Sequence, residues 1–250
     1  MSVILPAAGA STRFGGDKLA RDLGGRPLLV RTVEALSRRA EVRQIIVAGP
    51  PDSFETFAAR FGPVLGFHGA ELVQGGREDR WQSVSLALAH VSPDATHVAV
   101  HDAARPCLSD GLLDRVFEAA ASLEAVVPCV EVTSTVKEID PAAAADVAEG
   151  DALVDSILGG ETAPVLEAAP VVRTVPRDTL RLAQTPQVFA RDVLVSAYAR
   201  GGEGTTDDAS VVQQSGRVVH AVPGDPLNIK VTRPDDLRLA AAILRDMASV

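Results

Sequence analysis

Pro6-Ala7-Ala8-Gly9-Ala10-Ser11-Thr12-Arg13-Phe14-Gly15-Gly16-Asp17-Lys18 follows directly on the apolar run Val3-Ile4-Leu5. A β-branched strand broken by Pro and opening into small residues is the first half of a strand–loop–helix unit. In open α/β sheets, a loop at the carboxyl end of a parallel strand is where ligands bind, because backbone N–H groups there can approach them closely. The loop is not a dinucleotide fingerprint, since Ala10 stands where the second glycine of G-x-G belongs. Nor is it a Walker A loop, since Gly16 is followed by Asp17 and no G-K-[ST] occurs. What remains is a small-residue loop with two cations: Arg13, a planar fork of donors, and Lys18, a compact point charge. Together they suit a polyphosphate whose charge shifts during reaction; a tight turn with two solvated cations is the plainer alternative.

Outward from this loop, short apolar strands alternate with helical patterns. Strands are expected at Val3–Leu5, Gln44–Ala48, Glu71–Val73, His97–His101, Glu124–Val130 and Arg217–Val222. Helices are expected at Pro27–Leu36, Ser53–Phe61, from Gly75-Gly76 to Leu88, Leu112–Leu123 with Ser109 as N-cap, Asp192–Arg200, Thr206–Gln214 and Pro234–Met247. Continuous apolar strands between helices predict a doubly wound, mostly parallel, Rossmann-like α/β sheet covered on both faces. The rhythm breaks between Val132 and Val175, where two strand-like runs, Val132–Ile139 and Val171–Val175, flank a stretch rich in Ala, Pro, Gly and acids. The expectation is one domain over residues 1–250 with a protruding β-arm over 132–175.

Composition narrows the classes of function. The 250 residues are 46% hydrophobic and 23% charged, the balance of a chain that buries its own core. The formal net charge of −9 argues against a broad nucleic-acid or anionic-membrane surface, while leaving room for a small anion in a local basic pocket. No apolar run approaches the ~18 residues needed to cross a bilayer, and Met1–Pro6 reads as neither a basic leader nor a signal core. The only cysteines, Cys107 and Cys129, form no CxxC and read as reduced thiols of a cytoplasmic protein.

Further segments sharpen the reading. His101-Asp102-Ala103-Ala104-Arg105-Pro106 ends the HVAVH strand, Thr185-Pro186-Gln187 lies downstream, and Asn228-Ile229-Lys230-Val231-Thr232-Arg233-Pro234 precedes the last helix. With the first loop, Gly75-Gly76 through Ser83, and Thr206-Asp207-Asp208-Ala209-Ser210, this ordered set resembles the 2-C-methyl-D-erythritol 4-phosphate cytidylyltransferases of the non-mevalonate isoprenoid pathway. The matches run from Pro6 to Pro234.

The resemblance implies transfer of a cytidylyl group from CTP to methylerythritol phosphate with Mg²⁺ as cofactor. It implies Arg13 and Lys18 at the transition state, and Ala7, Ala8, Gly9, Gly76, Ser83 and Asp102 around the nucleotide. Asp102 is also the carboxylate nearest the metal. Lys230 and Arg177 would hold the acceptor phosphate, with Thr135 and Thr206 beside them and Arg173 competing for the role of Arg177. In the family that arginine comes from a partner subunit across crossing arms, which implies a homodimer built through the arm. Arg105 would brace its loop and His101 would be a packed strand-end residue. The same chemistry on ribitol 5-phosphate, a molybdopterin nucleotidyltransferase, and a non-catalytic nucleotide-binding module are the alternatives. Asp17-Lys18-Leu19 stands where the family usually has Pro-Lys-Gln, and the short loop before it resembles the molybdopterin enzymes.

Overall fold

The computed structural model describes residues 1–9, 14–143, 145–146 and 167–248; Arg13 therefore lies outside the described residues. In chain order the elements are β1 (Ser2–Pro6), α1 (Leu28–Ser37), β2 (Gln44–Gly49), α2 (Phe54–Phe67), β3 (Ala70–Gln74), α3 (Arg80–Leu88), β4 (His97–Val100), α4 (Asp110–Ala120) and β5 (Ala125–Glu131). These are followed by β6 (Val136–Ile139), β7 (Ala145–Asp146), β8 (Glu167–Ala168), β9 (Val171–Val175), β10 (Arg181–Ala183) and β11 (Gln187–Ala190). The chain closes with α5 (Arg191–Tyr198), α6 (Asp208–Gln214), β12 (His220–Pro223) and α7 (Pro234–Met247).

Contacts divide the chain into two compact units, Met1–Val130 with Ala183–Val250, and Glu131–Leu182. The first is built on a sheet in which β5, β11, β4, β1, β2 and β3 follow one another in that order, with β12 also paired to β5. β1 pairs in parallel with β2 and β4, β2 with β3, and β5 with β12. β11 runs antiparallel to both β4 and β5, so the sheet is mixed but mostly parallel.

The period-two geometry of the strands splits their side chains between two cores. Val3, Leu5, Ile45, Val47, Ala99, Val126 and Val188 face α1, α2, α4 and α7 on one side. Ile4, Ile46, Ala48, Val98, Val100, Ala125, Val127 and Phe189 face α3, α5 and α6 on the other. Both faces are dry, which is why these strands read as unbroken apolar runs rather than alternating ones. The expected α/β class holds.

Several boundaries differ from the expected ones. α3 begins at Arg80 rather than at Gly75-Gly76; the intervening residues stay extended or bent and line a cleft. α2 continues past Phe61 to Phe67, carrying Pro63 inside it, because Phe57, Phe61 and Leu65 keep burying the same face. β10 and β11, on either side of Thr185-Pro186, are strands that no apolar run announces: β10 is three exposed residues and β11 opens on the polar Gln187 beside that proline. Ser109 does cap α4, accepting from the Leu112 N–H at 3.3 Å.

In the second unit, β6 and β9 form an antiparallel pair with an irregularity between Glu138 and Ile139, and β7 pairs with β8. The strand expected from Val132 begins at Val136. Residues 147–166, within the expected arm, lie outside the described residues. No helix among the described residues is long and apolar enough to cross a membrane.

Candidate active site

A cleft of about 810 Å³ opens at the carboxyl ends of β1, β2, β3 and β4. It is lined by Ala7, Ala8, Gly9 and Lys18 from the first loop, by Gly76, Arg80 and Ser83, and by Asp102 and Lys230, among others. Of the residues singled out from sequence, eight of the described ones therefore converge here: Ala7, Ala8, Gly9, Lys18, Gly76, Ser83, Asp102 and Lys230.

Each is positioned by its own local logic. The Ala7 N–H donates to the Ala48 carbonyl at 2.8 Å, which extends the β1–β2 ladder one residue into the loop. Asp17 caps the short 3-10 turn Lys18–Ala20, accepting from the Ala20 N–H at 3.3 Å. The turn is presented with its cation at the cleft, where the Lys18 ammonium donates to the Val231 carbonyl at 3.2 Å. The residue that departs from the family's Pro therefore has its own way of fixing the lysine: an N-cap in place of a ring-locked φ.

Gly75 donates to the Gly49 carbonyl at 2.8 Å, and a Cβ there would stand 2.9 Å from that oxygen, 2.9 Å from Ser83 Oγ and 3.0 Å from the Ala8 methyl. Only glycine lets the end of β2, α3 and the first loop approach this point so closely. Ser83 is buried and accepts from the Gly76 N–H at 3.0 Å, so its hydroxyl keeps one donor proton to place.

The floor of the cleft is an ion cluster around Asp102. Its Oδ2 lies 3.0 Å from Lys230 Nζ and 3.2 Å from Arg105 Nε, and its Oδ1 lies 3.6 Å from Arg80 Nε. Burial alone would raise the Asp102 pKa, but Lys230, Arg80 and Arg105 outweigh it and hold the carboxyl well below the usual carboxylate range. Arg105 also donates to the Asn228 carbonyl at 2.8 Å, and the Val231 N–H donates to the Ala104 carbonyl at 2.9 Å. The HDAARP and NIKVT segments are thus clasped to each other, as expected for an Arg105 that braces its loop.

His101 is fully buried beneath this cluster. Its Nε2 faces the Arg105 carbonyl at 3.0 Å and its Nδ1 faces Thr185 Oγ1 at 2.9 Å. A carbonyl can only accept, so Nε2 carries the proton and Thr185 donates to Nδ1. The Thr185 hydroxyl in turn accepts from the Asp102 N–H at 3.0 Å. Burial pushes the His101 pKa down to about 4. An unfolded histidine takes up its proton near 6.5, whereas the folded one resists until about 4. The unfolded chain therefore binds more protons between those values, and stability falls as the pH drops through that window. The loss is on the order of 3 kcal/mol. Denaturant titrations from neutral pH to about pH 4 should show this slope in the wild type and not in His101→Gln; parallel slopes would refute it.

Two clusters near the site were not legible as chemistry. Arg80 pairs with Asp208, which is completely buried, at 2.7 Å, and Tyr198 donates its hydroxyl to the other Asp208 oxygen at 2.6 Å. Gln187, of the TPQ segment, donates to Asp207 at 2.8 Å and accepts from the Ala209 N–H at 2.9 Å, anchoring the start of α6. Thr206, two residues before that helix, is exposed and does not line the cleft.

In the second unit Thr135 is exposed, and Arg177 is exposed with its guanidinium donating to the Thr133 carbonyl. Arg173 is engaged within the hairpin, its Nε 2.5 Å from Glu138, opposite it in register. The pair is exposed on both sides, so it holds Arg173 only weakly.

Among the described residues, no group of three or more His, Cys, Asp or Glu side chains converges as a metal cage. Asp102 has both oxygens facing cations, so the expectation that it ligates a metal directly does not fit this geometry. A carboxylate so engaged orders cations rather than recruiting another.

Comparisons with known proteins place the whole chain in one family. The family model for 2-C-methyl-D-erythritol 4-phosphate cytidylyltransferase matches residues 1–157 and 160–246. A protein of that name from Frankia casuarinae is 44% identical, over 98% of this chain and 81% of its own length. One from Streptomyces coelicolor is 38% identical, over 97% of this chain and 84% of its own. The crystal structure of the Thermus thermophilus protein of that name superposes with a TM-score of 0.71 at 34% identity, covering 98% of both chains. A 4-diphosphocytidyl-2C-methyl-D-erythritol synthase from Anaerococcus prevotii gives 0.74 at 26% identity, covering 98% of this chain and 97% of its own. With the family model matching nearly the whole length and relatives of 38–44% identity covering most of both chains, the chain belongs to the 2-C-methyl-D-erythritol 4-phosphate cytidylyltransferase family.

Proposed function

We propose that this protein transfers a cytidylyl group from CTP to 2-C-methyl-D-erythritol 4-phosphate. A phosphate oxygen of the acceptor attacks the α-phosphorus of CTP in line, the bond to the bridging oxygen breaks, and pyrophosphate leaves. The acceptor is its own nucleophile and, as a phosphate dianion, needs no general base. Two anions must meet, so catalysis consists of positioning and charge stabilisation.

The observation that carries the reading is the convergence of Lys18, Arg80 and Lys230 on one cleft with the small-residue loop and Gly76–Ser83. Ala7, Ala8 and Gly9 offer backbone groups to the nucleotide, and Gly76 and Ser83 offer small polar contacts to the pyrimidine. Lys18, with Arg13, stabilises charge at the α-phosphate and on the leaving group. Lys230, oriented by Asp102, receives the acceptor phosphate. Arg177 completes the acceptor site with Thr135 and Thr206, and by family resemblance it does so from a partner subunit. Ile139, Val171 and Val172 on the β6–β9 arm are exposed apolar side chains, which favours an arm that is covered by a second copy.

The divalent cation, Mg²⁺, would arrive on the triphosphate, keeping phosphate and water ligands rather than a protein cage, and would neutralise charge there. This accords with the lack of a carboxylate cluster among the described residues.

The test is pyrophosphate release with Mg²⁺ from CTP, UTP, GTP and ATP, each offered methylerythritol phosphate or ribitol 5-phosphate. Turnover with CTP and methylerythritol phosphate alone is the expected result. Turnover with ribitol 5-phosphate alone would overturn the acceptor assignment, and silence from folded protein would overturn the reaction.

A further inference from the structure

Arg80 lines the cleft, but the carboxylate nearest to it does not. Arg80 opens α3 and reaches two carboxylates at once: Asp102 in the cleft at 3.6 Å, and Asp208 at 2.7 Å. Asp208 does not line the cleft and has no exposed surface. Its second oxygen is taken by the Tyr198 hydroxyl at 2.6 Å. A carboxylate with no access to water is retained only when it is paired and hydrogen-bonded, and here Arg80 and Tyr198 do both. Asp208 in turn is carried on a helix start fixed by the Asp207 cap, which accepts from the Ser210 N–H at 3.0 Å, and by Gln187.

The chain of contacts continues on the other side. Asp102 divides its oxygens, with Oδ1 toward Arg80 and Oδ2 toward Arg105 and Lys230. An aspartate side chain turns about two bonds, so a fixed partner on one oxygen fixes the other. Lys230 is the mobile member, on a flexible stem and partly open to solvent.

We propose that Arg80 and the buried Asp208 are positioning residues. Held by Asp208, Arg80 sets the orientation of Asp102, and Asp102 thereby holds the Lys230 ammonium where the acceptor phosphate binds. The proposal rests on the acceptor role given to Lys230 above. It predicts energetic coupling between residues that never touch, Asp208 and Lys230.

The experiment is a double-mutant cycle on the full chain with Asp208→Asn, Lys230→Ala and the pair. It is read as kcat and KM for methylerythritol phosphate, with CTP binding by calorimetry and thermal unfolding alongside. Asp208→Asn keeps the shape and a Tyr198 acceptor while removing the charge that anchors Arg80. The expected result is a loss of roughly tenfold in kcat/KM for the acceptor, little change in CTP affinity, and no further loss when Asp208→Asn is added to Lys230→Ala. Independent, multiplicative losses would overturn the proposal, as would a lowered melting temperature with unchanged kinetics. Arg80→Lys provides a second route if Asp208→Asn does not fold. It keeps the charge but loses the fork that spans two carboxylates, and should show the same non-additivity with Lys230→Ala. The wild-type assay separates the two questions: no turnover on methylerythritol phosphate refutes the acceptor reading, whereas wild-type turnover with uncoupled variants refutes only the positioning chain.

Discussion

Replacing Lys18 by Met is expected to cut kcat for CTP-dependent pyrophosphate release by on the order of 10²–10³-fold. The ammonium stands at the rim of the small-residue loop, on a turn capped by Asp17, and is held toward the cleft by the Val231 carbonyl. Negative charge builds on the α-phosphate oxygens and on the departing pyrophosphate only as the reaction proceeds. A preorganised cation there stabilises the transition state more than the ground state, so the loss should fall on kcat rather than on KM for CTP. Methionine keeps the length and the apolar stem, and Lys18 is only partly buried, so the melting temperature should hardly move. Steady-state kinetics beside thermal unfolding decide it: a variant turning over within threefold of wild type would remove Lys18 from the chemistry. Arg13→Met tests the loop's other cation in the same way, and a mere nucleotide-binding module would show no turnover to lose.

Mixing two inactive variants should restore activity if each site is shared between subunits. Lys18→Met removes a cation from the cleft, and Arg177→Ala removes the exposed arm guanidinium, which sits in the other structural unit. Each homodimer lacks one function at both sites. A heterodimer that exchanges arms has one site with both lesions and one with neither. About half the dimers of a re-equilibrated equal mixture are heterodimers with one intact site, so activity should return to roughly a quarter of wild type. Verified heterodimers that remain inactive would show that Arg177 does not act across subunits. Arg173→Ala in the same pairing is the control for the arm's other arginine: Arg173 pairs with Glu138 within the hairpin, whereas Arg177 contacts a backbone carbonyl.

His101 and Asp102 show how neighbours in sequence acquire opposite tasks. Both follow directly on β4, and both are largely removed from water. His101 meets only a carbonyl and a hydroxyl, so burial keeps it neutral and it serves as a rigid spacer. Asp102 meets three cations and stays ionised. The environment, rather than the residue type, decides which one carries charge at neutral pH.

What could be read from the sequence alone is whatever short-range order encodes. The α/β class followed from apolar runs at Val3–Leu5, Gln44–Ala48 and His97–His101, the last ending one residue earlier in the structure, because a strand buried on both faces needs apolar residues at consecutive positions. The small-residue loop after β1 was legible as a cleft-lining loop because Gly and Ala leave the backbone accessible, and Ser109 and Pro234 marked helix starts for equally local reasons. The motif residues Asp102 and Lys230 could be named, but not their contact. Only tertiary structure decided which charges meet. Lys18 reaches a carbonyl 213 residues away, and Arg80, unremarkable in a helical stretch, turned out to join Asp102 to a buried Asp208. No periodicity signals such a partner, because an ion pair depends on where two chain segments arrive and not on the residues beside them. The sheet order, which brings the ends of β1, β3 and β4 to one cleft, made those arrivals coincide.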